Sequence, residues 1–205
     1  MLELALNALI TLIVVVDPLG LAPIFAALTR GNDAKRKREM ALRGTALGAA
    51  ILFAFAFFGN ALLGALGIEL AAFRIAGGAL LFLVALDMIF ASSTGMRSRT
   101  VRQQEDEAYE GDISVFPLAI PLIAGPGAIT SVLLYTGDRD PLEVAVVLSV
   151  LAVVLLLVLA SLLLAPRVMA LFGETGANIL SRVLGVLLAA LAVQFVLDGL
   201  RASFS

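Results

Sequence analysis

The chain reads as an all-α polytopic membrane protein, with six transmembrane helices in two inverted three-helix repeats and the first helix of each repeat broken at Pro and Gly. Three observations predict this. Of 205 residues, 61% are hydrophobic and only 15% charged, at a mean hydropathy of +1.06, whereas soluble domains hold about 45–50% apolar and about 25% charged residues. Six apolar segments are each long enough to cross a bilayer. A shift of 108 residues lays one half of the chain on the other, so that Pro18 falls on Pro126.

A span needs about 20 mostly apolar residues, and 2–29, 41–66, 71–90, 113–136, 142–165 and 177–200 qualify. The N-terminal MLELALNALI carries Glu3 where a leader would carry basic residues, so it is expected to begin the first span. The longest polar stretch, ASSTGMRSRTVRQQEDEAYEGD, is expected to be a solvated linker at 91–112. It divides the chain into a first repeat at 1–90 and a second at 113–205.

Lys and Arg in short loops set orientation. Arg30, Lys35, Arg36, Lys37, Arg38 and Arg43 follow span 1; Arg97, Arg99 and Arg102 lie in the linker, and Arg167 follows span 5. Only Arg139 and Arg201 lie on the other side, while Arg74 and Arg182 fall early in spans 3 and 6. The basic loops and the linker are therefore expected in the cytoplasm, with both termini outside. The run RGNDAKRKREMALR is explained by cytoplasmic retention, with lipid headgroups as a lesser alternative.

The 108-residue shift also lays Arg74 on Arg182 and Gly77 on Gly185, within RIAGGALLFL and RVLGVLLAAL. Matching leucines mean little in such a composition. Pro and Arg are rare inside spans, so their coincidence at one offset marks a repeat. Three spans per copy is an odd number, so the second copy enters the membrane from the opposite face.

The stretch VVVDPLGLAPIF, within the first span, places an acid, two prolines and a glycine where a plain apolar helix would run. Asp favours the N-cap and Pro the first helical position, so DPLG reads as a helix start inside a span. The equivalent place reads FPLAIPLIAGPGAITS, with Pro117, Pro121, Gly125, Pro126 and Gly127. Interrupted spans at corresponding positions of two inverted halves point to a transporter binding site. Asp17 can cap the first helix start, whereas Gly125 has no side chain to cap the second and leaves amides around Gly127 to Ile129 for an anion. One negative group facing one anion-seeking helix end suits a zwitterion.

Together, DPLGLAPIF and PLAIPLIAGPGAITS in a six-span chain of this length resemble the MarC family (UPF0056) of bacterial inner-membrane proteins. The resemblance covers essentially the whole chain. It implies six spans in the cytoplasmic membrane, and some relatives are classed as neutral amino acid transporters. Asp17, Pro18, Gly20 and Pro23 match the family's first motif, and Pro121, Gly125, Pro126 and Gly127 its second. The family offers no catalytic residue to carry over.

The expected function is transport of a small polar solute, a neutral amino acid above all, by alternating access. The expected substrate site comprises Asp17, Pro18, Gly20, Gly125, Pro126, Gly127 and Thr130, with Arg74 and Arg182 either reaching inward or snorkelling to the interface. Asp17 and the carbonyls near Val15 and Val16 are candidate ligands for a coupling Na⁺ or H⁺; no other cofactor is expected, and without a Walker-type loop ATP is not the local energy source. No Cys or His is present, which excludes thiolate and imidazole metal sites and Ser-His or Cys-His nucleophiles. An intramembrane hydrolase using Asp17, Asp87 or Asp198 lacks a paired-carboxylate motif, so no enzyme is expected. A passive channel and a non-transporting assembly or regulatory protein are the rival classes. Expected partners are membrane lipid and the small-molecule substrate. A homo-oligomer is compatible with this reading, and a net charge of −2 gives no reason to expect nucleic acid.

The Cys-free chain makes the topology directly testable. Single cysteines at Ser93 and Thr175 are expected to resist an impermeant thiol reagent in intact cells, and one at Asp140 to react. The opposite pattern would overturn both the orientation and the inversion.

Overall fold

The computed structural model describes residues 1–90, 112–137 and 139–204, and among them the chain is helical throughout, with no strand. The linker expected at 91–112 lies outside the described residues except for Asp112. Helix is what an apolar environment demands, because each backbone N–H and C=O then finds its partner within the segment. The elements are α1 (Leu2–Val16), α2 (Pro18–Leu28), α3 (Ala34–Ala65), α4 (Leu70–Phe90), α5 (Ser114–Ile123), α6 (Pro126–Thr136), α7 (Pro141–Leu163) and α8 (Ala165–Ser203). Among the described residues five helical runs are long and apolar enough to cross a membrane, or six if α5 and α6, bent by 54°, count as one span.

Two helices are longer than the hydrophobic pattern suggests. The basic stretch expected as a loop after span 1 is instead the start of α3, where the Arg36 N–H donates to the Asp33 carboxylate at 2.7 Å. Ala, Lys, Arg and Glu are strong helix formers, so polarity there marks the membrane boundary and not a helix end. At 32 residues, α3 is about 48 Å long and outreaches the ~30 Å hydrocarbon layer. Likewise α8 runs for 39 residues from Ala165, so the loop expected near Arg167 is helix and only Leu164 separates it from α7. The α3–α4 connection is a tight C-cap: Gly67 takes φ 67° and the Ile68 N–H donates to the Leu63 carbonyl at 2.9 Å.

α5 is wide and irregular. Phe116 and Ile120 leave helical geometry for the extended region (φ −129° and −127°), as residues preceding proline do, here Pro117 and Pro121. Its first turn is tied outward, because the Ser114 N–H donates to Asp112 at 3.0 Å and Arg43 of α3 lies 3.3 Å from the same carboxyl group. The Ser114 hydroxyl and N–H, with help from Arg43, hold the Asp112 carboxyl below its ordinary range.

Packing sorts the spans into an inner and an outer set. In the run from Leu2 to Leu28, 67% of the most apolar window is buried, against 22% in α3 and 28% in α4. The interrupted segments are therefore inside, and α1 packs on α6, α7 and α8. Across the two halves the pairings alternate: α1 on α7 and α3 on α5, α2 on α7 and α3 on α6, α2 on α8 and α4 on α6. The most extensive contact is between α4 and α8, and it is antiparallel. A Cβ on Gly199 would lie 2.9 Å from the Ala71 carbonyl, one on Gly78 2.7 Å from the Ala192 carbonyl, and one on Gly185 2.9 Å from Met88 Cβ. Small residues bring the backbones together where apolar burial alone gives helices no reason to associate.

This predicts a contrast between two glycines. Gly78→Ala puts a methyl against backbone atoms of α8 and is expected to lower thermal stability in detergent, by ~1–3 kcal/mol. Gly64→Ala on α3 meets nothing within 4 Å and is expected to be neutral or to stabilise by up to ~1 kcal/mol. Equal melting of the two variants would overturn the close α4–α8 contact.

Candidate functional site

Asp17 is both the end of α1 and the start of α2. Its N–H donates to the Ile13 carbonyl at 2.9 Å, its carboxylate accepts from the Gly20 N–H at 3.0 Å and its carbonyl accepts from the Leu21 N–H at 3.1 Å. It is only 2% exposed and takes φ 54°, ψ 65°, a left-handed conformation that Asp tolerates because its short polar side chain bonds locally. Among the described residues no other non-glycine has positive φ. Pro18 at the first helical position needs no N–H partner. Gly20 is required by the cap itself, because a Cβ there would run into the Asp17 carboxylate, whose Cγ is 2.6 Å away. The sequence DPLG is thus one device that ends one helix and begins the next within the molecule's interior.

The second helix start is built differently. α6 begins at Pro126 behind Gly125, in the extended conformation (φ −77°, ψ 167°), and no side chain caps it. A Cβ on Gly125 would lie 2.5 Å from the Pro121 carbonyl, so a larger residue does not fit. The Ile129 N–H donates to the Gly125 carbonyl at 3.0 Å, which removes it from the expected set of open amides. Gly127 and Ala128 remain, the first-turn amides for which a helix offers no internal acceptor.

The fold brings the two starts together. A Cβ on Gly127 would lie 3.3 Å from Val15 Cγ1 and 2.6 Å from Leu81 Cδ2, so the first turn of α6 rests against the last turn of α1, two residues before Asp17. One end of this contact is fastened by a hydroxyl pair, Thr11 to Tyr135, at 3.0 Å. Pro18, Gly20, Gly125 and Gly127 are buried, whereas Pro126 is exposed. Thr130 is 2% exposed and packs on Gly77 of α4, whose absent Cβ leaves the room it occupies. Arg74 is half-buried on α4, and Arg182 is exposed on α8.

Two features escaped the sequence reading. The Ser131 hydroxyl, on α6 one turn past Gly127, is fully buried with no hydrogen-bond partner, as are those of Thr45 and Ser161 among the described residues. Thr29 and Thr136 bond back to their own helices, at 2.7 Å to Phe25 and 2.9 Å to Val132, and Ser131 gave no sequence signal to set it apart from them. The Thr11–Tyr135 pair joins residues 124 apart, which no local pattern reveals. Among the described residues no group of three or more Asp or Glu side chains gathers to hold a metal.

The comparisons agree along the whole chain. A family model described as "MarC family integral membrane protein" matches residues 2–204. A UPF0056 membrane protein of Archaeoglobus fulgidus is 38% identical over 193 residues, covering 93% of this chain and 89% of the relative. The UPF0056 inner membrane protein YhgN of Escherichia coli is 33% identical over 200 residues, 96% of this chain and 95% of its own. A UPF0056 membrane protein of Buchnera aphidicola is 35% identical over 200 residues, with 96% and 91% covered. No solved structure matches.

The junction at Asp17 predicts an ordering of stabilities. Asp17→Asn keeps a capping oxygen and tolerates left-handed φ, so its melting in detergent is expected near that of the unaltered chain. Asp17→Ala loses the cap, worth ~1 kcal/mol, and adds about 1–2 kcal/mol of left-handed strain. Gly20→Ala is expected to destabilise the chain, and to do so less once Asp17→Gly has cleared the carboxylate. Additive losses in that double variant would show that Gly20 is not there to admit the cap.

Proposed function

The chain belongs to the MarC family of integral membrane proteins, and from that premise we propose that it is a secondary transporter of a small polar solute, a neutral amino acid, working by alternating access of two inverted three-helix repeats. The observation that carries the reading is the contact of the two helix starts inside the molecule, Gly127 against Val15. One start brings a buried carboxylate at Asp17 and the other an uncapped N-terminus. A helix N-terminus carries roughly +0.5 of a charge and offers N–H groups to anions. A zwitterion lies with its ammonium toward Asp17 and its carboxylate toward the Gly127 and Ala128 amides. Pro18, Gly20, Gly125 and Pro126 hold the two starts, and Thr130 and Ser131 supply hydroxyls beside the second.

The packing supports the inversion. Helices α2 and α6 each span 11 residues, begin at Pro and lie 108 residues apart. α4 and α8, the third helices of the halves, are antiparallel, as equivalent helices related by an axis in the membrane plane must be. The alternating pairings, α1 on α7 and α3 on α5 among them, are those that exchange under such an axis. The outward face is the one with few Lys and Arg residues, so both termini lie outside. The name of the Escherichia coli relative, an inner membrane protein, supports the cytoplasmic membrane as the location. Arg74 and Arg182 are assigned to the membrane boundary, where long cationic side chains snorkel. A coupling H⁺ on Asp17, or Na⁺ held by Asp17 with carbonyls near Val15 and Val16, supplies the driving force.

The test is uptake by proteoliposomes of a labelled neutral amino acid panel, with and without Na⁺ and H⁺ gradients. Asp17→Asn, still folded, is expected to lose uptake by about tenfold or more, because leaving one member of a buried charge pair without its partner costs ~2–5 kcal/mol. Amides of amino acids, which lack the carboxylate, and carboxylic acids, which lack the ammonium, are expected not to compete. Normal uptake by Asp17→Asn ends the charge assignment, and no uptake from the whole panel ends the transport reading.

A further inference from the structure

A cavity of about 1010 Å³ opens away from the two helix starts, where the C-terminal end of α2, the first turns of α3, the end of α7 and the start of α8 converge. It is shared between the two halves of the chain. Phe25, Leu162 and Met169 form an apolar wall, and Lys37, Arg38 and Arg167 bring three positive charges. Among the described residues no Asp or Glu lines the cavity, and none of the three cations has an ion-pair partner. Phe25 and Leu162 are buried and Lys37 is half-buried, whereas Arg38 and Arg167 are exposed at the mouth.

Depth narrows the ligand. The apolar run of α7 ends at Leu163, and α8 begins at Ala165, so the cavity floor reaches the hydrocarbon boundary. Its cations stand at headgroup level on the basic extension of α3 and the first turn of α8. Leu163 and Leu164, each 42% exposed, continue the apolar wall onto the outer surface. Three cations with no carboxylate among the described lining residues call for an anion, and the wall below them calls for hydrocarbon. Anionic phospholipid supplies both in one molecule and is already at that depth.

We infer that this cavity is a binding site for an anionic phospholipid. The phosphodiester lies among Lys37, Arg38 and Arg167, where Arg offers paired N–H donors to phosphate oxygens, and the first part of an acyl chain lies along Phe25, Leu162 and Met169. Basic pockets between spans on the cytoplasmic side bind headgroups in this way. The volume is at the upper end of the ~300–1,000 Å³ of ordinary ligand sites, enough for a headgroup with part of its chain. A soluble phosphate shares the polar half of this chemistry and leaves the apolar half unused. The inference does not depend on the transport reading, since its readout is binding and not uptake.

The test titrates the detergent-purified chain with phosphatidylglycerol, phosphatidylcholine and glycerol 3-phosphate, read by native mass spectrometry and thermal shift. Phosphatidylglycerol is expected to give a discrete adduct and raise the melting temperature, and the other two to do neither. Arg38→Gln/Arg167→Gln is expected to weaken phosphatidylglycerol binding by roughly tenfold or more, and Arg38→Lys/Arg167→Lys to restore most of it. Arg30→Gln/Lys35→Gln removes the same charge outside the cavity lining and is expected to change binding little. Met169→Trp, which fills the wall, is expected to weaken phosphatidylglycerol without altering the charge. Equal binding of phosphatidylcholine, equal weakening by the two Gln pairs, or an equal shift with glycerol 3-phosphate would each overturn the site.

Discussion

A peptide group that faces hydrocarbon without a hydrogen bond costs several kcal/mol, and the arrangement of this molecule follows from that constraint. A continuous helix meets it anywhere in the bilayer. An interrupted helix meets it only when walled in by other protein, and the interrupted run from Leu2 to Leu28 is far more buried than α3, α4, α7 or α8. At the first interruption one residue serves both helices, since Asp17 gives its N–H to α1 and its carbonyl and carboxylate to α2. Burial of the break therefore comes first, and the location of polar chemistry in the interior is its consequence.

Enclosure needs a frame, and the frame is made where helices approach without side chains between them. α4 and α8 meet through Gly78, Gly185 and Gly199, their antiparallel axes closing one side around α2 and α6. On the other side Gly44 and Gly48 of α3 admit Leu118 and Ile123 of α5, and Gly59 admits Leu133 of α6. Each half fills spaces left by the other half's glycines. The inner helices on each side of the linker are thus held by helices from the other side.

Much of this architecture was legible because hydrophobic run length and proline position are local signals. Pro18 and Pro126 each start a helix, and both helices end after 11 residues. Helix ends at the membrane boundary were not legible, because hydropathy falls at Lys35–Arg38 while helix propensity does not, and α3 continues through them. The same holds for Arg167, now in the first turn of α8. The Thr11–Tyr135 pair was illegible for another reason, because its two members lie 124 residues apart in sequence, and no local pattern separates the unpartnered Ser131 hydroxyl from those that bond to their own helix. Arg74 and Arg182, matched at the 108-residue offset, sit in unequal surroundings, half-buried and exposed, so correspondence in sequence did not translate into equal environment.

Under the proposed repeat, positions 17 and 125 correspond, and their difference has a physical consequence. Two identical copies would bring either two carboxylates or two uncapped helix starts into the interior. Two carboxylates repel, and two bare N-termini gather positive potential with nothing to balance it. Asp at one place and Gly at the other avoids both outcomes. Each choice is then fixed by its neighbours: Gly20 leaves room for the carboxylate, and the Pro121 carbonyl leaves none for a side chain at Gly125. In the transport reading, that single difference turns a repeated helix start into a site with two ends of opposite character. In that reading the repeat supplies the geometry, and the departure from it at one residue supplies the polarity.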